Sequence, residues 1–163
     1  MQSALQFTDG DYMEAAGLAV ALLAATTGFH YEALRMLLHR LYGRHLSRPW
    51  VVRLVLTLVV IHGAEIGLYA GAYALGTEVL RIGRLTGGGV HGYIDFCYFA
   101  AETYSTLGYG DLVPTGALRL LASLEAVNGV LLLTLSGAFL SGMLRDSYQM
   151  EARRAPSGNE SDR

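Results

Sequence analysis

The chain has 163 residues, 52% of them hydrophobic and only 16% charged, with a mean hydropathy of +0.34 and a formal net charge of −2. That composition excludes a disordered chain, and it departs from water-soluble domains, in which about 25% of residues are charged. The slightly acidic balance offers no electrostatic footing for nucleic acid, and a single cysteine, Cys97, excludes an internal disulfide or a cysteine-based zinc cluster.

Residues 1–11 are polar and acidic and read as an extracellular N-terminus. The run from Ala15 to Phe29 carries no charge, and extended to residues 12–38 it is long enough to cross a bilayer. It is not a signal peptide, because Asp9, Asp11 and Glu14 precede it where basic residues would be needed. Residues 39–49 form a basic, cytoplasmic loop. Within it Arg40, Arg44 and Arg48 recur every four residues. Voltage-sensing arginines must sit inside a crossing helix, so this stretch, ending at Pro49, reads as interfacial and turned toward lipid headgroups.

A second span, residues 50–76, is interrupted only by Arg53, His62 and Glu65. A third, residues 117–144, contains Arg119 and Glu125. Between them, after a connection at 77–92, lies the shorter apolar segment Tyr93–Tyr104. At 1.5 Å per residue it cannot cross about 30 Å of hydrocarbon. It must enter and turn back, which lipid tolerates only where protein buries the freed backbone groups. Arginines in the first connection and in the tail 145–163 place both in the cytoplasm, outnumbering Arg81 and Arg84 on the opposite side. The N-terminus is then outside and the C-terminus inside a plasma membrane. The tail from Ala155 to Arg163 reads as a polar, disordered end.

Directly after the short helix comes Glu102-Thr-Tyr-Ser-Thr106-Leu107-Gly108-Tyr109-Gly110-Asp111-Leu-Val-Pro114. Here the sequence resembles the pore domain of potassium channels, from about Trp50 to Leu144. The Thr-Leu-Gly-Tyr-Gly-Asp run is similar to that family's selectivity filter, with Leu107 where valine is commoner. The resemblance implies an all-α membrane fold: outer helix 50–76, turret 77–92, re-entrant pore helix 93–105, filter 106–111 and inner helix 117–144. Residues 12–38 then add a peripheral helix to a minimal two-span unit. It also implies a homotetramer in which carbonyls of Thr106, Leu107, Gly108 and Tyr109, with the Thr106 hydroxyl, replace the hydration shell of K⁺. Gly108 and Gly110 permit the left-handed backbone such a strand needs, and Tyr109 would brace it against the pore helix.

In potassium channels of similar pattern, acids at the places of Glu102 and Asp111 pair behind the filter. Two close carboxyls would share a proton, and Tyr98 is a candidate donor to Asp111. Gly129 stands where the family's inner helix commonly bends, although a small residue for close packing fits equally. Leu133, Gly137 and Ser141 share a face and are expected at the cavity and cytoplasmic constriction.

Ionisable residues within spans point to function. Matching Leu75 to Ala117 puts Glu65 level with Val127, so His62, Glu65, Glu125 and Asn128 are expected as one polar cluster behind the pore, titratable through histidine. The same arithmetic pairs Glu32 with Arg53. Asp95 reads as a helix cap, Gly87-Gly88-Gly89 as a turret turn, and His91 as a turn residue at the outer mouth. The expected function is passive, selective K⁺ transport, with K⁺, lipid and three further copies of the chain as partners. No enzyme activity, cofactor or nucleic-acid partner is expected. The residues after Leu144 are too few for a nucleotide-binding domain, so ATP-driven pumping and cytoplasmic ligand gating within this chain are not expected. Two other readings stand beside this one: a non-conducting accessory subunit, and an intramembrane metal-site protein using His30, Glu32, His62 and Glu65. Ion flux and metal content separate the three.

Overall fold

The structure, a computed structural model, describes residues 7–44, 46–88 and 92–154. The expectations for Gly89, His91 and the tail from Ala155 to Arg163 lie outside these residues.

Helix α1, Asp9–Leu41, starts at a reciprocal cap. The Thr8 N–H donates to Asp11 Oδ2 at 2.6 Å, and the Asp11 N–H donates to Thr8 Oγ1 at 3.4 Å. Helix α2, Arg48–Ala74, follows Ser47 and carries Pro49 in its first turn, where a missing N–H costs nothing. It runs on through a π-helical turn, Leu75–Val79. Strand β1, Leu85–Gly87, precedes the short helix α3, Tyr93–Tyr104. Asp95 caps α3 by accepting the Gly92 N–H at 3.1 Å. Strand β2, Leu112–Pro114, leads into α4, Leu118–Arg154. The two strands pair antiparallel, Leu85 opposite Pro114 and Gly87 opposite Leu112.

Helices α1, α2 with its π-helical turn, and α4 are each long and apolar enough to cross a membrane. This is a mostly helical, multi-pass membrane protein. Packing alone could not stabilise these helices in water: Val52, Val55, Leu56, Val59 and Val60 on α2 and Val127, Val130 and Leu131 on α4 are all exposed. Such apolar outer faces are satisfied by lipid or by further protein.

Several boundaries differ from the sequence expectation. Helix α1 exceeds residues 12–38 at both ends, so the basic connection shrinks from 39–49 to Tyr42–Ser47. Arg40 is helical and Arg48 opens α2. Helix α4 continues past residue 144 because its last turns pack on that connection: Ser147 Oγ accepts the Leu46 N–H at 2.9 Å, and Met143 joins Leu41, Leu46 and Leu54 in a buried cluster. The β1–β2 ribbon was not expected at all.

The register between α2 and α4 is also corrected. The Ala117 N–H donates to Ile82 O at 2.9 Å, so Ile82, not Leu75, lies opposite Ala117. The π-helical turn and the bend after it carry the chain seven residues further before it reverses. That is about two helical turns.

Helix α1 packs chiefly against α4, and α3 is held between α2 and α4. The largest apolar core gathers Ala15 and Ala19 of α1, Tyr69 and Tyr73 of α2, Phe96, Phe99 and Tyr104 of α3, and Leu118 and Leu121 of α4. A second cluster, Ala33, Leu34, Leu58 and Ile61, lies toward the other end of the bundle. Buried Thr26 and His30 of α1 and Glu65 of α2 fall between these two clusters in sequence.

Candidate functional site

The loop from Ser105 to Asp111 leaves the C-terminal end of α3 and is exposed along its length. Its backbone has an alternating character: Thr106 has φ 58°, Gly108 54° and Gly110 80°, with Leu107 and Tyr109 between them in the ordinary range. Glycine adopts the left-handed region freely, whereas Thr106, a β-branched residue, does so only under constraint. The sequence had pointed to Gly108 and Gly110 and had missed Thr106.

The constraint comes from Glu102. Its main-chain oxygen accepts the N–H groups of Leu107 at 2.8 Å and Gly108 at 3.3 Å, and its Oε2 accepts the Tyr109 N–H at 3.0 Å. The Thr106 N–H returns to Thr103 O at 3.0 Å. Four successive N–H groups therefore face back onto the end of α3. Among the described residues, no donor reaches the carbonyls of Thr106, Leu107, Gly108 or Tyr109.

Glu102 and Asp111, expected as a pair, each have a further partner. Glu102 is spent on the Tyr109 amide, while its Oε1 is buried with no hydrogen-bond partner among the described residues. Asp111 Oδ1 accepts the Tyr98 hydroxyl at 3.2 Å. Desolvation, then the Asp111 carboxylate, raise the Tyr98 phenol above its ordinary value, so this donor stays protonated through the neutral range. Tyr109 does not brace its own pore helix, since its side chain is 69% exposed.

On α4, Gly129 marks a close approach. A Cβ there would stand 2.1 Å from Tyr104 O, at the end of α3. Leu133, Gly137 and Ser141 follow on an open face, and Ser141 Oγ donates to Gly137 O at 2.9 Å.

The expected cluster of His62, Glu65, Glu125 and Asn128 divides into three. Glu65 is fully buried between two histidines: His30 Nδ1 lies 2.8 Å from Oε1 and His62 Nδ1 3.1 Å from Oε2, while Tyr104 Oη donates to Oε2 at 2.5 Å. Glu125 accepts the Tyr73 hydroxyl. Asn128 donates to Thr26 Oγ1 at 2.7 Å and to Tyr69 Oη at 3.0 Å. The corrected register explains the division, since each α4 residue meets a position on α2 further along the chain than expected. His62 and Glu65 were legible together from their i, i+3 spacing, but Tyr104 and Ser136 were missed. His30 was named only as a possible metal ligand. The structure brings His30, His62 and Glu65 together as potential ligands. It leaves Glu32 outside, 51% exposed and paired with Arg35 at 2.8 Å. The expected Glu32–Arg53 pair is therefore not formed, and the Arg53 guanidinium lies over the Trp50 ring at 5.2 Å.

Neither the curated proteins nor the solved structures contain a match to this chain. A family model described as ion channel matches residues 54–146, which takes in most of α2, the whole of α3, the exposed loop and most of α4. More than half of the 163 residues fall within that match, and the chain belongs to this ion channel family.

Proposed function

We propose that the protein is a K⁺-selective channel subunit, and that four copies surround a passive pore lined by Thr106, Leu107, Gly108 and Tyr109. The carrying observation is the one-sidedness of the loop. N–H groups of residues 106–109 turn back onto α3, residues of positive φ alternate with residues that lack it, and the carbonyls lie in an exposed loop without a donor among the described residues. Alternation of that kind puts successive carbonyls on one side of a strand, which an ordinary β-strand does not do. Exposed carbonyl rows suit a dehydrated cation once further copies close the ring.

The short helix supports the same reading. α3 is re-entrant in this arrangement and aims its partially negative C-terminal end at the ion path. Tyr109, uncovered in one chain, would pack against a neighbouring copy. The arginines favour a cytoplasmic C-terminus and an extracellular N-terminus in a plasma membrane. Arg40, Arg44 and Arg53 line a groove between α1 and α2 at the cytoplasmic end, where anionic headgroups would sit.

The test is flux from liposomes loaded with K⁺ or Na⁺ and containing the purified full chain. Valinomycin-independent K⁺ efflux with little Na⁺ efflux is expected. Equal Na⁺ permeation defeats the selectivity, and absence of flux from a correctly assembled tetramer favours an accessory subunit.

A further inference from the structure

We propose that His30, His62 and Glu65 bind a zinc-type divalent cation inside the helix bundle, with Tyr104 Oη as the fourth donor. The family match begins at residue 54 and excludes α1, so His30 is a contribution of the additional helix. The site joins four elements: His30 on α1, His62 and Glu65 on α2, Tyr104 at the end of α3, and Ser136 on α4.

Three observations support an ion here. The first is size. One donor atom from each of His30, His62 and Glu65 lies within 4.8 Å of the others. His30 Nδ1 is 2.8 Å from Glu65 Oε1, His62 Nδ1 is 2.9 Å from Tyr104 Oη, and Tyr104 Oη is 2.5 Å from Glu65 Oε2. Zinc bonds of about 2.0–2.1 Å space tetrahedral donors about 3.3 Å apart. Small outward shifts of four side chains would open that polyhedron.

The second is hydrogen-atom counting at Ser136. Its Oγ lies 3.0 Å from His62 Nε2 and 3.2 Å from His30 Nε2. If both imidazoles are neutral and donate through Nδ1 to Glu65 and Tyr104, both Nε2 atoms are acceptors, and one serine hydrogen cannot serve two; moving the His62 proton to Nε2 satisfies Ser136 but leaves the one Tyr104 hydrogen to serve both His62 Nδ1 and Glu65 Oε2. A metal on the two Nδ1 atoms reverses this. Both Nε2–H groups then donate into the two lone pairs of Ser136 Oγ, the supporting contact that metal-bound histidines require.

The third is charge. His30 and Glu65 are fully buried and Tyr104 is 1% exposed. Among the described residues the buried Glu65 carboxylate meets only two histidines and a phenol, and a doubly charged cation would offset its charge. As the ion binds, each imidazole that carried its proton on Nδ1 carries it on Nε2 instead, and a Tyr104 proton displaced by the metal leaves to solvent. The ion would tie α1 to the residue that lies two places before Thr106. None of this depends on which ion permeates.

The experiment uses the full chain, expressed with added zinc, purified in detergent without chelator and assayed by elemental mass spectrometry. About one zinc per chain is expected, as for a preformed His/carboxylate site. Cobalt-grown protein should show the visible absorption of a tetrahedral N/O site. Glu65→Gln and His62→Ala should lose the metal, Ser136→Ala should weaken its binding about 10- to 100-fold, and Glu32→Gln should keep it. Because His62→Ala disturbs a buried contact, wild-type protein is also stripped with a chelator and reloaded. Its melting midpoint should fall and then recover with Zn²⁺ but not Mg²⁺. Wild-type protein that is helical, zinc-supplied and still metal-free overturns the proposal and assigns the unsatisfied Ser136 contact to one extra stored proton.

Discussion

At the scale of single residues, Glu102 holds the loop through its main-chain oxygen and its Oε2. Removing the acceptor of a part-buried N–H costs about 0.5–1.5 kcal/mol, a shift of about 2- to 13-fold between two states. Glu102→Ala frees the Tyr109 amide and is expected to speed the decay of sustained K⁺ current by roughly that range. Glu102→Gln keeps an oxygen at the same place and should decay nearly as wild type. Equal decay in Ala and wild-type channels under steady recording would show that this bond does not hold the loop. The pair of Tyr73 and Glu125 gives a second residue-scale expectation. Glu125 is buried, its Oε2 served by Tyr73 and its Oε1 by no hydrogen-bond partner among the described residues. Tyr73→Phe should lower stability by about 1–3 kcal/mol, and adding Glu125→Leu should restore part of that loss. Thermal melts of the assembled protein in detergent decide the matter. Residues 106–111 were legible in the sequence because their pattern is local. The uses of Glu102 were not, because they arise only when the chain folds back after Ser105.

Among elements, the spans were readable because crossing a bilayer needs only length and apolar composition, and α3 was readable because it fails that length. The register was not readable. It depends on where α2 stops, and five residues of π-helix carry it beyond its apolar run. That error joined Glu65 to Glu125 and Asn128. Gly129 shows what the correct register produces. Its backbone meets the Tyr104 carbonyl so closely that no rotamer change makes room for a methyl group. Gly129→Ala is expected to cost about 1–3 kcal/mol by overpacking. It would also displace the end of α3 and so lower the K⁺ to Na⁺ permeability ratio. Gly17→Ala, on α1 with nothing within 4 Å of a Cβ, should leave both quantities unchanged. Bi-ionic reversal potentials and melting curves measure the two effects on the same preparations. A Gly129→Ala channel with wild-type selectivity would uncouple the α3–α4 contact from the pore.

For the whole molecule, one chain leaves the loop carbonyls unpaired and the Tyr109 ring open to solvent. Both deficits would be removed in the proposed tetramer, where a cation among the carbonyls would satisfy them. An ion that binds the assembled form and not the separated chains stabilises it by RT ln(1 + [L]/Kd), or about 2.7 kcal/mol at a hundredfold excess over Kd. The tetramer should therefore resist heating or denaturant better as K⁺ is raised, while Na⁺ at the same ionic strength should do little. Thr106→Ala removes a hydroxyl from the proposed ring and should flatten the K⁺ dependence. It should leave the Na⁺ curve close to wild type. Gel migration of heated samples across a K⁺ series reads tetramer and monomer directly. A dissociation temperature independent of K⁺ would mean that these carbonyls face something other than the ion, and the pore would have to be sought elsewhere in the assembly.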